Sequence, residues 1–203
     1  MSKDRLEAFS DGVFAIILTL LVLELRAPGL PAHSNLAQYA VAMAPLIPKF
    51  VSFVLTFAMI CIHWVSHHYF FLNLRRVTIQ MVWLNNLFLL WICFLPFPTA
   101  MLGNNPTDQF PVLLYGVDSL LCALTFYAFR SYANRAKLFE PEESRALGPR
   151  RSVPAIVIYG LSILLTFVNV YLALLCFLAV PLLYFVPTML WSRADAPEQH
   201  PRG

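Results

Sequence analysis

Apolar residues along this chain gather into runs at positions 13–25, 46–72, 82–102, 112–129, 153–168 and 171–190, with short polar stretches between them. Most of these runs approach the roughly 20 residues that an α-helix needs to cross a bilayer. The pattern predicts an all-α integral membrane protein made of a single domain, residues 1–203. Six transmembrane helices are expected over about 6–25, 46–72, 78–102, 111–132, 153–168 and 171–191, followed by a flexible tail at 192–203. Proline and glycine mark the joints: Pro28, Pro31, Pro45 and Pro48 ahead of the second run, and Pro96 and Pro98 late in the third, where the helix should kink or end. The stretch 140–151, with Pro141, Glu142, Glu143 and Pro149, reads as a polar linker.

Composition sharpens the class. The chain is 59% hydrophobic and 12% charged, with a mean hydropathy of +0.68, more apolar than a soluble domain of this length can bury. Lys and Arg then give the orientation, because cytoplasmic loops carry the positive excess. Lys3 and Arg5 precede the first run, Arg75 and Arg76 follow the second, six Lys and Arg fill the connection after the fourth, and Arg193 and Arg202 lie in the tail. The alternate connections, at 104–109 and around Asn169, carry none, and the first external loop offers only Arg26 and Lys49. Both termini should therefore be cytoplasmic.

The net charge of +3 follows from this topology and points to no nucleic acid, since the basic residues are spread over loops without interleaved exposed aromatics. Cys61, Cys93, Cys122 and Cys176 all fall in apolar runs without close-spaced partners; neither a disulfide framework nor a zinc site is implied. A cleaved signal peptide is the weaker reading of the first run, because Asp4, Glu7, Asp11 and Glu24 crowd it and no small-residue cleavage site follows Leu25.

Chemistry concentrates in that first run. It opens Arg5-Leu-Glu-Ala-Phe9-Ser10-Asp11-Gly12, which puts a carboxylate where a spanning helix begins. A charged side chain inside hydrocarbon costs at least about 2.5–3.5 kcal/mol, so such residues face protein or a water-filled path. At about 100° per residue, Gly12, Ile16, Thr19, Leu20 and Leu23 share one face, and Asp11 falls about 140° from Ile16. Asp11 needs a donor, and the candidates are Arg5, Trp64, His67 and Asn86. The uninterrupted run 12–23 is only about 18 Å long against a hydrocarbon core of about 30 Å, so a central, sheltered position is expected for this helix. On periodicity alone the Ile and Leu stripe reads as packing, and Thr19 as a hydroxyl bonded to the i−4 carbonyl of Ala15.

His63 and His67 stand four apart on one helix face. That spacing can serve a metal, yet only Asp11 and Glu24 could complete a ligand set from a membrane helix, so hydrogen-bonded helix contacts are the better reading and no metal is expected. Histidine also titrates near pH 6.5 when unperturbed, which leaves these two residues able to sense pH.

Arg5-x-x-x-Phe9-Ser10-Asp11, with the apolar continuation to Leu25, resembles the signature of the transmembrane protein 175 family of potassium channels. His63-Trp64-x-x-His67-His68 and Leu84-Asn85-Asn86-Leu87 leading to Phe94-Leu-Pro96-Phe-Pro98-Thr99-Ala100 resemble the same family. The likeness is dense over the first half of the chain. A single copy of the motif is similar to the prokaryotic form, in which four subunits surround one pore.

The resemblance implies a homotetramer in a prokaryotic plasma membrane, with a central pore lined by the first helix. It places Ile16, Leu20 and Leu23 at the pore constriction and Thr19 in a polar pore layer. Four copies of Ile16 would form a ring that gates by size and dewetting, and threonine hydroxyls would replace part of an ion's hydration shell. Arg5, Phe9, Ser10, Asp11, His63, Trp64, His67 and Asn86 become a structural motif near the cytoplasmic mouth. The permeant ion is potassium, the partners are the lipid bilayer and further copies of the chain, and no cofactor is required.

No Thr-Val-Gly-Tyr-Gly run is present, so the filter is not of the backbone-carbonyl kind. The rival readings are a membrane scaffold and a secondary cation or proton transporter. A transporter would show inverted repeats or broken helices. An enzyme is not expected, because no nucleophile and base stand at productive spacing.

Overall fold

A computed structural model describes residues 2–139 and 148–194, with side chains described up to Tyr184. All of the regular structure among these residues is helical. Helix α1 spans Lys3–Leu21 and runs on into a 3-10 turn at Val22–Glu24. A short α2 covers Leu36–Met43, α3 Ile47–Leu72, α4 Ile79–Phe94, α5 Pro96–Asn104 and α6 Gln109–Arg135. After a 3-10 turn at Pro149–Ser152 come α7, Val153–Thr166, and α8, Val170–Ala194.

Among the described residues, four helical stretches are long and apolar enough to cross a membrane: Lys3–Glu24, Leu36–Leu72, Ile79–Asn104 and Gln109–Arg135. The Val170–Tyr184 portion of α8 is apolar and shorter. Leu95 separates α4 from α5, and Pro96 opens the second of them as a first-turn residue where its missing N–H costs nothing. The predicted kink is therefore a break between two stacked helices. Several boundaries differ from the expectation: α2 occupies part of the first external loop, α1 starts and α6 ends three residues outside the expected spans, and α8 continues through Ala194, three residues into the stretch read as tail. The remainder of that tail, and residues 140–147 of the polar linker, lie outside the described residues.

The helix ends are chosen by local chemistry. Ser2 and Thr78 accept from the amides of Arg5 and Met81 at the starts of α1 and α4. Asn35 and Gln38 form a reciprocal capping box that starts α2. At the end of α6 the chain turns through Lys137 at φ 51°, and the amides of Lys137 and Leu138 return to the carbonyls of Asn134 and Ala133. That is a Schellman turn with a lysine in the left-handed position, where L-residues pay roughly 1–2 kcal/mol. The buried Leu138 that follows supplies the matching apolar contact, and the Leu138 carbonyl then accepts from the amide of Arg75, joining the two basic connections on the same side.

Helix α6 is the hub, packed against α4, α5, α7 and α8, while α1 leans on α3 and α4. The core around His67 is aromatic: Phe14, Phe71, Phe88, Phe126 and Phe129 surround its ring with centroids 4.5–6.5 Å away. The four cysteines are all free.

Candidate functional site

Helix α1 has two unlike faces. Leu6, Ser10, Phe14, Ile17 and Leu21 turn inward and are buried against α3 and α4. Gly12, Ile16, Thr19, Leu20 and Leu23 lie on the other side, with Ile16 59%, Leu20 48% and Leu23 66% exposed in the protomer. A Cβ on Gly12 would meet nothing within 4 Å. Phe9, at 54% exposure, extends the same bare surface toward the helix start.

The inward face is tied by polar contacts. Ser10 Oγ donates to the Leu6 carbonyl at 2.9 Å and accepts from Asn85 Nδ2 at 3.0 Å. Asn85 Oδ1 stands 2.8 Å from His67 Nε2. Because the amide oxygen can only accept, His67 carries its proton on Nε2, which leaves Nδ1 buried without a partner among the described residues. Ser10, Asn85 and His67 are each fully buried. Three helices, α1, α3 and α4, are thus locked together by one short chain of hydrogen bonds in an apolar setting, where such bonds are strong and their loss is costly.

A second contact lies one residue further along α1 and nearer the surface. Trp64 Nε1 donates to Asp11 Oδ1 at 2.9 Å. Of the candidate donors, the indole takes this role; the only ion pair among the described residues joins His68 Nδ1 and Glu7 Oε1 at 3.1 Å, so Arg5, which is exposed, forms none with Asp11. The indole also stacks on His68, at 5.9 Å and 18°. Lys3 Nζ reaches the carbonyls of Leu72 and Leu74, both at 3.1 Å, and satisfies acceptors that the end of α3 leaves open.

His63 is buried, with its ring edge-on to Phe88 at 5.6 Å. It also borders a small cavity of about 30 Å³ with Arg130, Arg151 and Ser152. No group of three or more His, Cys, Asp or Glu that could hold a metal is present among the described residues. Asn86 is exposed, and its neighbour Asn85 makes the interhelical bonds. Thr19 Oγ1 donates to the carbonyl of Ile16 at 2.7 Å, one residue away from the Ala15 carbonyl that the spacing suggested. Asn85, Glu7, His68 and Lys3 went unassigned in the sequence. The doubled asparagine and the second histidine of His67-His68 were the available signals, but helical periodicity cannot choose between adjacent residues when the partner helix is unknown.

A multi-span helical membrane protein, with one face of its first helix built into the bundle and the other bare, is the class that this geometry defines. A family model described as endosomal/lysosomal potassium channel TMEM175 matches residues 5–96, which hold the α1 motif, Trp64, His67 and Asn85. A protein of Chryseobacterium sp. (strain P1-3) named a potassium channel is 30% identical over 188 residues, covering 92% of this chain and 94% of the relative. Human TMEM175, named an endosomal/lysosomal proton channel, is 33% identical over 117 residues, 54% of this chain and 23% of the human protein. Among solved structures, a TMEM175 homolog from Chamaesiphon minutus, titled a lysosomal potassium-selective channel, aligns with a TM-score of 0.79 at 28% identity, over 90% of this chain and 95% of that one. The chain belongs to the TMEM175 family, a family of channels and not of enzymes.

Proposed function

We propose that this chain is a potassium-permeable cation channel in which four copies surround a central pore lined by the bare face of α1. The chain crosses a prokaryotic plasma membrane six times, with α1, α3, α4 continued by α5, α6, α7 and α8, and both termini are cytoplasmic. The observation that carries this reading is the division of α1. Ser10, Phe14 and Leu21 are fixed in the protomer, and Ile16, Thr19, Leu20 and Leu23 are left exposed by it, which supports their facing other copies and a pore. The name potassium channel on a relative matching almost the whole length supports the ion.

In this assembly Ile16, Leu20 and Leu23 form the apolar constrictions, which hold back hydrated ions by width and dewetting. Thr19 forms the polar layer. Its hydroxyl hydrogen is engaged by the Ile16 carbonyl, so the oxygen lone pairs are what the side chain can offer outward, and they suit a cation. Ser10, Asp11, Trp64 and His67 hold the inner end of the pore helix, with Asn85 where Asn86 was expected; Arg5 and Phe9 are exposed and His63 packs on Phe88 instead. The channel needs no cofactor.

The test is the reversal potential of the purified protein in planar bilayers with potassium on one side and sodium on the other, wild type beside Ile16→Asn. A potassium-biased potential that moves toward zero in the variant is the expected result. Equal potentials remove Ile16 from the constriction, and silence from folded protein in bilayers and in proteoliposome flux overturns the channel.

A further inference from the structure

The least compensated polar group among the described residues is far from α1. Asp118, in the outer half of α6, is 1% exposed, and neither carboxyl oxygen has a hydrogen-bond partner. An ionised carboxylate in that position would face a desolvation cost that only a paired cation or several donors could offset. No cation among the described residues is placed to do so. Its electrostatic neighbours are Tyr115 and Cys122 on α6, with Tyr159 of α7 beside them. The other packed elements offer Cys93 on α4, Tyr171, Cys176 and Tyr184 on α8, and Arg150 and Arg151 in the 3-10 turn, where Arg151 borders Arg130; α5 carries nothing titratable. Arg130 is twelve residues further along α6, about 18 Å away at 1.5 Å per residue. On α3 the nearest ionisable ring in sequence to Thr56 is His63, two turns inward.

A series of buried hydroxyls leads toward this carboxyl. A cavity of about 230 Å³ opens at the outer end of the bundle between the end of α1, α3 and α5, with Glu24, Lys49, Ser52 and Thr99 on its wall. It exists where α5 approaches α3 closely: a Cβ on Gly103 would come within 2.7 Å of Ser52 Oγ and 2.9 Å of Lys49 Cα. From that wall Thr99 Oγ1 lies 2.8 Å from Thr56 Oγ1, which in turn donates to Tyr115 Oη at 3.2 Å. Tyr115 and Asp118 are three residues apart, neighbours on one face of α6. Each hydroxyl can both donate and accept, but Thr99 Oγ1 also donates to the Leu95 carbonyl at 2.7 Å and Tyr115 makes no hydrogen bond to either Asp118 oxygen, so the series relays a proton only when Thr99 turns its hydrogen to Thr56 and the Tyr115 hydroxyl turns to the carboxyl.

We propose that Asp118 is a proton-binding site inside each protomer, loaded from the outer cavity through Thr99, Thr56 and Tyr115, and separate from the ion path along α1. The proton sits on the carboxyl as a neutral acid, and its exchange with solvent follows the hydroxyl series. Release leaves an unpaired carboxylate on the buried side of α6, so the site couples proton occupancy to the packing of the hub helix.

Infrared spectroscopy of the purified full-length protein at neutral pH tests both parts. Wild type should show the carbonyl-stretch band of a protonated carboxylic acid that is missing from Asp118→Asn, an isosteric change in which the fold is retained. After transfer to deuterated buffer that band shifts, and in Tyr115→Phe and Thr56→Val the shift should be about tenfold slower, as expected for interrupting one hydrogen-bonded step. A wild type lacking the band, or an Asp118→Asn protein that keeps it, overturns the site. Unchanged exchange in both hydroxyl variants overturns the route. These readouts do not depend on potassium current, so a silent bilayer and a missing band condemn different readings.

Discussion

Phe14 and Ile16 are separated by a single residue on the same helix, yet the first is 1% exposed and the second 59%. Composition cannot tell them apart, since both are large and apolar. What differs is the company each keeps: Phe14 packs edge-on to His67 and beside Phe88, whereas the protomer leaves more than half of Ile16 uncovered. In a soluble protein this contrast would separate core from surface. In a membrane protein it separates the side of a helix that builds the subunit from a side left to lipid or, as proposed above, to further copies and a pore, because lipid gives no hydrophobic incentive to cover Ile16.

The sharpest way to break the comparison is to truncate both residues. Phe14→Ala should cost about 3–5 kcal/mol, the usual loss for emptying a buried aromatic site, and the folded fraction in detergent should fall accordingly in a thermal unfolding series. Ile16→Ala should change protomer stability by no more than about 0.5 kcal/mol while altering conductance in bilayers. If Ile16→Ala destabilises as much as Phe14→Ala, the bare face is a packing surface within the subunit.

A somewhat smaller effect is expected from the polar contacts on the inward face. Asn85→Ala strands the His67 Nε2 proton and removes the amide donor to Ser10. Each buried group left unsatisfied costs about 1–3 kcal/mol, so a loss of about 2–4 kcal/mol in unfolding free energy is expected. The reversal potential of the protein that still folds should equal that of wild type. Asn86→Ala, on an exposed residue of the same pair, should leave both measurements untouched.

How far the sequence carried this picture depends on the kind of signal. The helical character of the long apolar runs is legible because hydropathy is a property of the run itself; α3, for example, ends at Leu72, where the apolar stretch beginning at position 46 also ends. The break at Pro96 is legible for the same local reason. Helix α2 was missed although its start is written in Asn35 and Gln38, because eight residues in a proline-flanked loop give too little periodicity to stand out. Within the site, the opposition of Asp11 to the Ile16 stripe follows from 100° per residue alone. The partner of Asp11 does not, since Trp64 lies 53 positions away and only packing brings α3 to it. Asp118 was invisible as a feature: one acid in an apolar helix acquires meaning only when it proves buried with neither oxygen hydrogen-bonded among the described residues.

The smallest expected effect falls on Thr19, where the comparison is finest because the side chain belongs to the bare face but spends its hydrogen on its own helix. Thr19→Val keeps the shape and removes only the oxygen. Protomer stability should stay within about 0.5 kcal/mol of wild type, since an exposed hydroxyl bonded back to the helix adds little. The potassium preference read from the reversal potential should fall by about twofold to tenfold, the factor that one ordinary hydrogen-bond equivalent of about 0.5–1.5 kcal/mol represents. Thr19→Ser should recover most of it, because serine restores the oxygen while losing the methyl group. A Val variant indistinguishable from wild type would mean that the hydroxyl serves the Ile16 carbonyl and nothing else, and the discrimination between cations would then have to come from the width of the Ile16 and Leu20 rings alone.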